Sequence, residues 1–245
     1  MDEPVVLLVE DDALVSRFVG MVLDDLPIRL QVCSSVEQAL QFLAEQRVQL
    51  VITDLMMPGE SGMGLIQRMT ADRALAADAK VVVFSAGLNT KVREQLASMN
   101  IWRTLAKPAS VGDLQGCVRD ALQLAGQKAP TSPPSEPAAP AAPGLAEHEA
   151  LAVATHFAHN RPLFETYRER CFVQFPRDCA EGDQAAAVAD LAVLRRLAHN
   201  LRTVLLTLGR TEGHQVATRL EEAACAEDAP AAVAGWKALR EHLAP

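Results

Sequence analysis

Three short runs in the first half of the chain are apolar from end to end: VVLLV at Val5 to Val9, LVIT at Leu50 to Thr53 and VVVF at Val81 to Phe84. A strand with one face in water alternates apolar and polar residues, so runs like these belong in a sheet covered on both faces. The segments between them have helical spacing, as at Leu14, Phe18, Met21, Val22 and Leu26, or Val36, Leu40 and Leu43. The alternation predicts strands at Pro4 to Val9, Leu30 to Cys33, Val48 to Thr53, Lys80 to Phe84 and Ile101 to Leu105. Helices are predicted at Ala13 to Leu26, Val36 to Leu43, Met63 to Met69, Lys91 to Met99 and Val111 to Leu124. Strands alternating with helices make right-handed βαβ units, hence an α/β doubly wound five-stranded parallel sheet.

The texture changes at GQKAPTSPPSEPAAPAAPG, Gly126 to Gly144, which has no aromatic and no periodic apolar residue. Proline at this density favours extended, semi-rigid chain and cannot supply a core. Beyond it no strand-like run occurs. Leu145 to His156, Pro162 to Cys179, Gln184 to Leu208, Thr211 to Ala226 and Ala231 to Leu243 read as helices, with breaks at Asn160-Arg161-Pro162, Glu181-Gly182-Asp183, Gly209 and Asp228-Ala229-Pro230. Short connections between long amphipathic helices predict an all-α up-and-down bundle. The expected organisation is a sheet domain over 1–125, a linker over 126–144 and a helical domain over 145–245.

The net charge of −8 argues against a nucleic-acid surface over either half, since both halves are acidic. The five cysteines are scattered and lack CxxC spacing, so they read as reduced core thiols rather than a disulfide frame or zinc site. With no cationic apolar leader and no apolar run long enough for a bilayer, the cytoplasm is the expected location, without membrane insertion.

Chemistry concentrates where the strands end. Glu10 and Asp11 follow the first strand, Asp54 ends the third, Ser85 follows VVVF, and Lys107 follows the fifth. In a doubly wound sheet these positions share one edge, where ligands collect. Carboxylates brought together repel unless a cation intervenes, and a hard oxygen site with room for water suits Mg²⁺. A phosphoryl group on Asp54 would have its oxygens neutralised by Mg²⁺, the Lys107 ammonium and the Ser85 hydroxyl.

VVLLVEDD, VITDLMMPGESG, VVVFSA and LAKP together resemble the receiver domain of two-component response regulators, from Met1 to about Ala125. The resemblance implies a flavodoxin-like fold, phosphorylation on Asp54, and Mg²⁺ held by Glu10, Asp11, Asp54 and the backbone carbonyl of Met56. It makes Ser85 the switch hydroxyl and Lys107 the phosphate clamp, and leaves Asp12 to cap the first helix. Thr104 stands where the family usually carries an aromatic switch, with Trp102 two residues earlier.

The second constellation lies in the helix from Gln184 to Leu208. Its stripe of Leu191, Leu194, Ala198, Leu201, Leu205 and Leu208 should face a core, and His199 lies off that stripe. Arg195, Arg196, Arg202 and Thr203 share its side at three- and four-residue spacing, so an exposed imidazole ringed by arginines is expected, a setting suited to phosphate. LRRLAHNLRTVLLTLG resembles the phosphoacceptor helix of histidine phosphotransfer domains, matching at His199, Leu201, Arg202 and Gly209, with Thr203 where a glycine is usual. Leu206 would add an exposed apolar docking patch.

These readings converge on a phosphorelay intermediate that takes a phosphoryl group on Asp54, on His199, or on both in turn. It would serve an upstream sensor histidine kinase and other receiver or phosphotransfer proteins, as a phosphoacceptor rather than a turnover enzyme. The alternative is a response regulator whose phosphorylated Asp54 controls partner binding or dimerisation by a helical domain that transfers nothing.

Overall fold

The computed structural model describes residues 3–72, 75, 78–86, 90–97, 99–124 and 145–244. The chain divides into two compact units, Met1–Thr131 and Ser132–Pro245. The assignment of 126–144 as a linker lies outside the described residues.

The first unit is a five-stranded parallel sheet of β1 (Val5–Val9), β2 (Arg29–Cys33), β3 (Leu50–Thr53), β4 (Lys80–Ser85) and β5 (Arg103–Ala106), in the order β2-β1-β3-β4-β5. Helices α1 (Ala13–Leu23), α2 (Val36–Glu45), α3 (Gly62–Ala71), α4 (Thr90–Ala97) and α5 (Val111–Leu122) alternate with the strands. All residues of β1 and β3 are buried, as their unbroken apolar runs required. The fifth strand starts at Arg103 rather than Ile101, whose amide donates to Met99 O in the preceding turn instead of to the sheet. Strand order reverses direction between β1 and β3, and the crevice beyond their carboxyl ends is where such sheets bind ligands.

Local chemistry fixes the helix starts. Asp12 caps α1 by accepting from the amides of Leu14 (2.7 Å) and Val15 (3.2 Å), while Ser35, Ser61 and Ser110 cap α2, α3 and α5. The start of α3 also sits against the acceptor loop. A Cβ on Gly62 would lie 1.8 Å from the carbonyl oxygen of Asp54, so only glycine permits this approach.

The second unit is helical: α6 (Leu145–Phe157), α7 (Arg161–Ala187), α8 (Leu191–Thr207), α9 (Thr211–Cys225) and α10 (Ala229–Glu241). Helix α8 packs against α7 and α9, α9 against α10, and α10 closes back on α7, with α6 laid over α7 and α8. Phe157, Phe164, Tyr167, Phe175 and Trp236 fill the core. Asn160, Asp190 and Asp228 cap the helices that follow them.

The largest departure from the expected boundaries lies in the helical unit. The break expected at Gly182 does not occur, and α7 runs on to Ala187, so the histidine helix begins at Leu191 instead of Gln184. Gly182 serves close packing: a Cβ there would fall 2.0 Å from the Trp236 ring. The chain turns instead at Ala189, in the left-handed region at φ 53°, just before the Asp190 cap. The cysteines are all free, as expected, but the core assignment holds only for Cys33, Cys117 and Cys171; Cys179 is half-buried and Cys225 exposed. Among the described residues no helix is long and apolar enough to cross a membrane.

Candidate functional site

The register of the sheet brings the strand ends together. Val9 pairs with Thr53, the amide of Asp54 donates to Val9 O at 3.0 Å, and that of Lys107 donates to Ser85 O at 3.1 Å. Glu10, Asp54, Ser85 and Lys107 thereby converge, all with buried side chains. The Lys107 ammonium donates to Asp54 Oδ2 at 2.6 Å and to Glu10 Oε2 at 2.5 Å. Asp54 Oδ1 accepts from the amide of Met56 at 3.1 Å, and the Ser85 hydroxyl also bonds this carboxylate. Glu10, Asp11 and Asp54 each bring a carboxylate oxygen within 4.8 Å of the others.

The acids respond differently. Burial pushes the Glu10 carboxyl up to about 8, because the attraction of Lys107 does not offset the loss of water and the repulsion of Asp54. Burial also raises Asp11, with Asp12 and Asp54 adding to the effect. At Asp54 burial acts upward too, but the charge and hydrogen bond of Lys107, helped by the Met56 amide and Ser85, outweigh it and hold the carboxyl below its ordinary range. Burial alone would lower Lys107, yet Glu10 and Asp54 keep its ammonium above the usual lysine value. Three carboxylates against one ammonium leave the pocket short of positive charge, and Asp11 Oδ1 is buried without a hydrogen bond. The donor set fits a hard divalent cation facing oxygen.

Thr104 lies half-buried in β5, and half-buried Trp102 has Arg103 4.4 Å and Lys80 5.1 Å from its ring.

The histidine site corrects the sequence reading. His199 is 6% exposed, not a surface side chain, because α9 packs over the side of α8 that the apolar stripe left free. Its Nδ1 lies 2.8 Å from Glu221 Oε1, and its Nε2 is buried with no partner. Burial pushes the Glu221 carboxyl up, but His199, Arg202 and Arg195 outweigh it and hold it below its ordinary range. An ionised carboxylate only accepts, so Nδ1 carries the proton, and in the neutral ring Nε2 carries the lone pair.

The arginine collar is divided as well. Arg202 Nη1 sits 2.9 Å from Glu221 Oε2, an ion pair without hydrogen-bond alignment, and Arg196 pairs with Glu181 on α7. Only Arg195 stays exposed. Leu206 is half-buried rather than exposed, and Thr203 is 8% exposed. Sequence reasoning missed Glu221 because it lies 22 residues away on another helix, within the ordinary polar run TRLEEAAC.

The fold and pocket define a class: a doubly wound signalling domain with an acidic crevice at its switch point. Residues 6–119 match the response regulator receiver domain, and this part of the chain is a receiver domain of two-component signalling, a class that takes its phosphoryl group on an aspartate. Half of the chain is 30% identical over 123 residues to the sensor histidine kinase TmoS of Ectopseudomonas mendocina, and the match spans 12% of that protein's length. Among solved structures, the signal receiver domain of an HD domain-containing protein from Pseudomonas fluorescens Pf-5 is 26% identical, covering 50% of this chain and 89% of that one, with a TM-score of 0.47. A response regulator receiver protein from Pseudomonas putida is 27% identical, covering 49% of this chain and 98% of that one, with a TM-score of 0.46.

Proposed function

We propose that this chain is a phosphorelay protein that accepts a phosphoryl group on Asp54 and carries or exchanges it through His199. The observation that carries the reading is the convergence of Lys107, Ser85 and the Met56 amide on Asp54, the pocket carboxylate held below its ordinary range. Glu10, Asp11, Asp54 and the Met56 carbonyl would hold Mg²⁺, which when bound offsets charge on a phosphoryl oxygen. The fit rests on the orphaned Asp11 oxygen and the excess of negative charge.

An ionised Asp54 oxygen attacks the phosphorus of a phosphohistidine donor. The P–N bond breaks, the imidazole leaves with the electron pair, and an acyl phosphate forms. Lys107, already against Asp54, and the Ser85 hydroxyl then serve the new phosphoryl oxygens. At His199 the Nε2 lone pair attacks an aspartyl phosphate, the P–O bond breaks with its electron pair going to the carboxylate, and the proton stays on Nδ1, donated to the Glu221 carboxylate, whose charge offsets that gained by the ring. Both steps are transfers to acceptors of this chain rather than turnover, apart from self-phosphorylation of Asp54 by small acyl phosphates and its later hydrolysis. The kinase likeness supports an upstream sensor histidine kinase, and other receiver or phosphotransfer proteins are the further partners. The acidic charge speaks against nucleic acid as a direct partner, and the cytoplasm is the proposed location.

One observation favours a second reading, in which phosphorylated Asp54 controls what a non-transferring helical unit binds: His199 Nε2 is sealed and two of its three arginines are paired. The test is phosphoryl labelling from a kinase, a phosphorylated receiver or a small acyl phosphate in wild type, Asp54→Ala and His199→Ala. The relay predicts acid-stable, base-labile label lost in Asp54→Ala, and acid-labile, base-stable label lost in His199→Ala. Label confined to Asp54 with every donor leaves only the second reading.

A further inference from the structure

An imidazole nitrogen buried without a partner loses its bond to water and gains none in return, so it persists where something else needs it. At His199 the phosphotransfer reading supplies that need, but the nitrogen has no open face in the resting protein. Cover from its own helix comes from positions three and four away: Arg195, Arg196, Arg202 and Thr203. A helical side chain leans toward the N-terminus and lies over the turn before its own Cα. The two arginines before His199 therefore lean away from it, and Arg196 is drawn to Glu181 on α7.

By the same rule Arg202 and Thr203, one turn after His199, are the two whose lean is toward its ring. Arg202 is committed to Glu221, the residue that holds the Nδ1 side. Thr203 remains: it is neutral, 8% exposed and β-branched, so it has few rotamers in which to swing clear. We propose that Thr203 is the access-limiting residue of His199, its side chain closing the Nε2 side of the ring so that a phosphoryl donor reaches the nitrogen only in a minor, open arrangement. The proposal rests on the phosphotransfer reading for its purpose, although access itself is measurable without phosphate. A reaction that needs the open arrangement slows by the fraction of time the site is open.

The test uses the full chain and diethyl pyrocarbonate, which acylates an unprotonated, accessible imidazole nitrogen. Mass spectrometry follows His199 beside the exposed His159 and the half-buried His242 in wild type, Thr203→Gly, Thr203→Ala and Thr203→Val. The expected result is a wild-type His199 at least about tenfold slower than His159, with Ala and then Gly accelerating it by about tenfold while the reference histidines hold their rates. Valine keeps the branched shape and should leave His199 as slow as threonine does. Equal rates at His199 and His159 in wild type, or one unchanged rate across the series, overturn the proposal. So does a uniform rise at all histidines, which reports a loosened bundle. Transfer from a phosphorylated receiver is measured on the same four proteins. Acylation that follows the series while no protein takes phosphate keeps the access role and removes the phosphotransfer reading. Equal transfer rates in all four do the reverse.

Discussion

The two acceptor sites solve opposite electrostatic problems. Asp54 is an anion in a buried pocket, and the fold brings a lysine to it from another strand end, with an acidic pair left over for a cation. His199 would react through an unprotonated ring nitrogen, and the fold brings it a carboxylate from the next helix. One site is prepared for negative charge arriving with phosphate; the other is prepared for positive charge appearing on the ring as the phosphoryl group arrives. They also differ in readiness. The Asp54 pocket lies at the crevice between β1 and β3, whereas His199 Nε2 is sealed.

Replacing Lys107 tests the first half of that contrast most severely. Lys107→Met removes the only ammonium between two buried carboxylates, and breaking such a pair costs about 3–5 kcal/mol. Hydrogen exchange over β1 and β3 should report that loss, and acyl phosphate formation should fall with it. Unchanged exchange would mean that the acids simply take up protons and that the lysine is not what holds this pocket.

The matching change on the helical side is smaller. Glu221→Ala leaves a buried imidazole with no partner on either nitrogen, a cost of about 1–3 kcal/mol, whereas Glu221→Gln keeps an acceptor for Nδ1–H and loses only the charge. Denaturant unfolding should rank wild type, Gln and Ala in falling stability. Equal stability of wild type and Glu221→Ala would show that this carboxylate does not hold the buried histidine.

The sites also differ in how far they can be read from the chain. Glu10, Asp54, Ser85 and Lys107 each sit at the end of an apolar strand run, and a parallel sheet brings strand ends to one edge whatever the details of packing. His199 depends on which side of α8 the neighbouring helices cover. A single apolar stripe marks the most buried line of a helix, but a helix flanked by α7 and α9 is buried over a wider arc, so the stripe alone does not show that its polar side is covered. The helix start was misread for a related reason. A glycine is a breaker in local terms, while Gly182 is retained for its contact with Trp236, a residue more than fifty positions away.

The finest test separates the two sites by pH. The raised Glu10 carboxyl means that the folded protein holds this proton more tightly than the unfolded chain does. The resulting stability is full below the ordinary value of 4.5 and is lost as pH rises toward about 8, because the unfolded state binds fewer protons across that window. Asp11 shifts in the same direction, and the lowered Asp54 acts oppositely only below the ordinary carboxylate range. In a chelator, protection of β1 and β3 should therefore weaken between about pH 6 and pH 8.5, and Glu10→Gln should flatten that slope. Mg²⁺ should oppose the decline most strongly at the upper end, where the carboxylates it binds are ionised. In the helical unit Glu221 is shifted the other way and burial lowers His156, so its protection should not fall across that window. Chelated strands that gain protection with rising pH, or an equal fall over α8 and α9, would show that the buried Glu10 carboxyl does not set the difference.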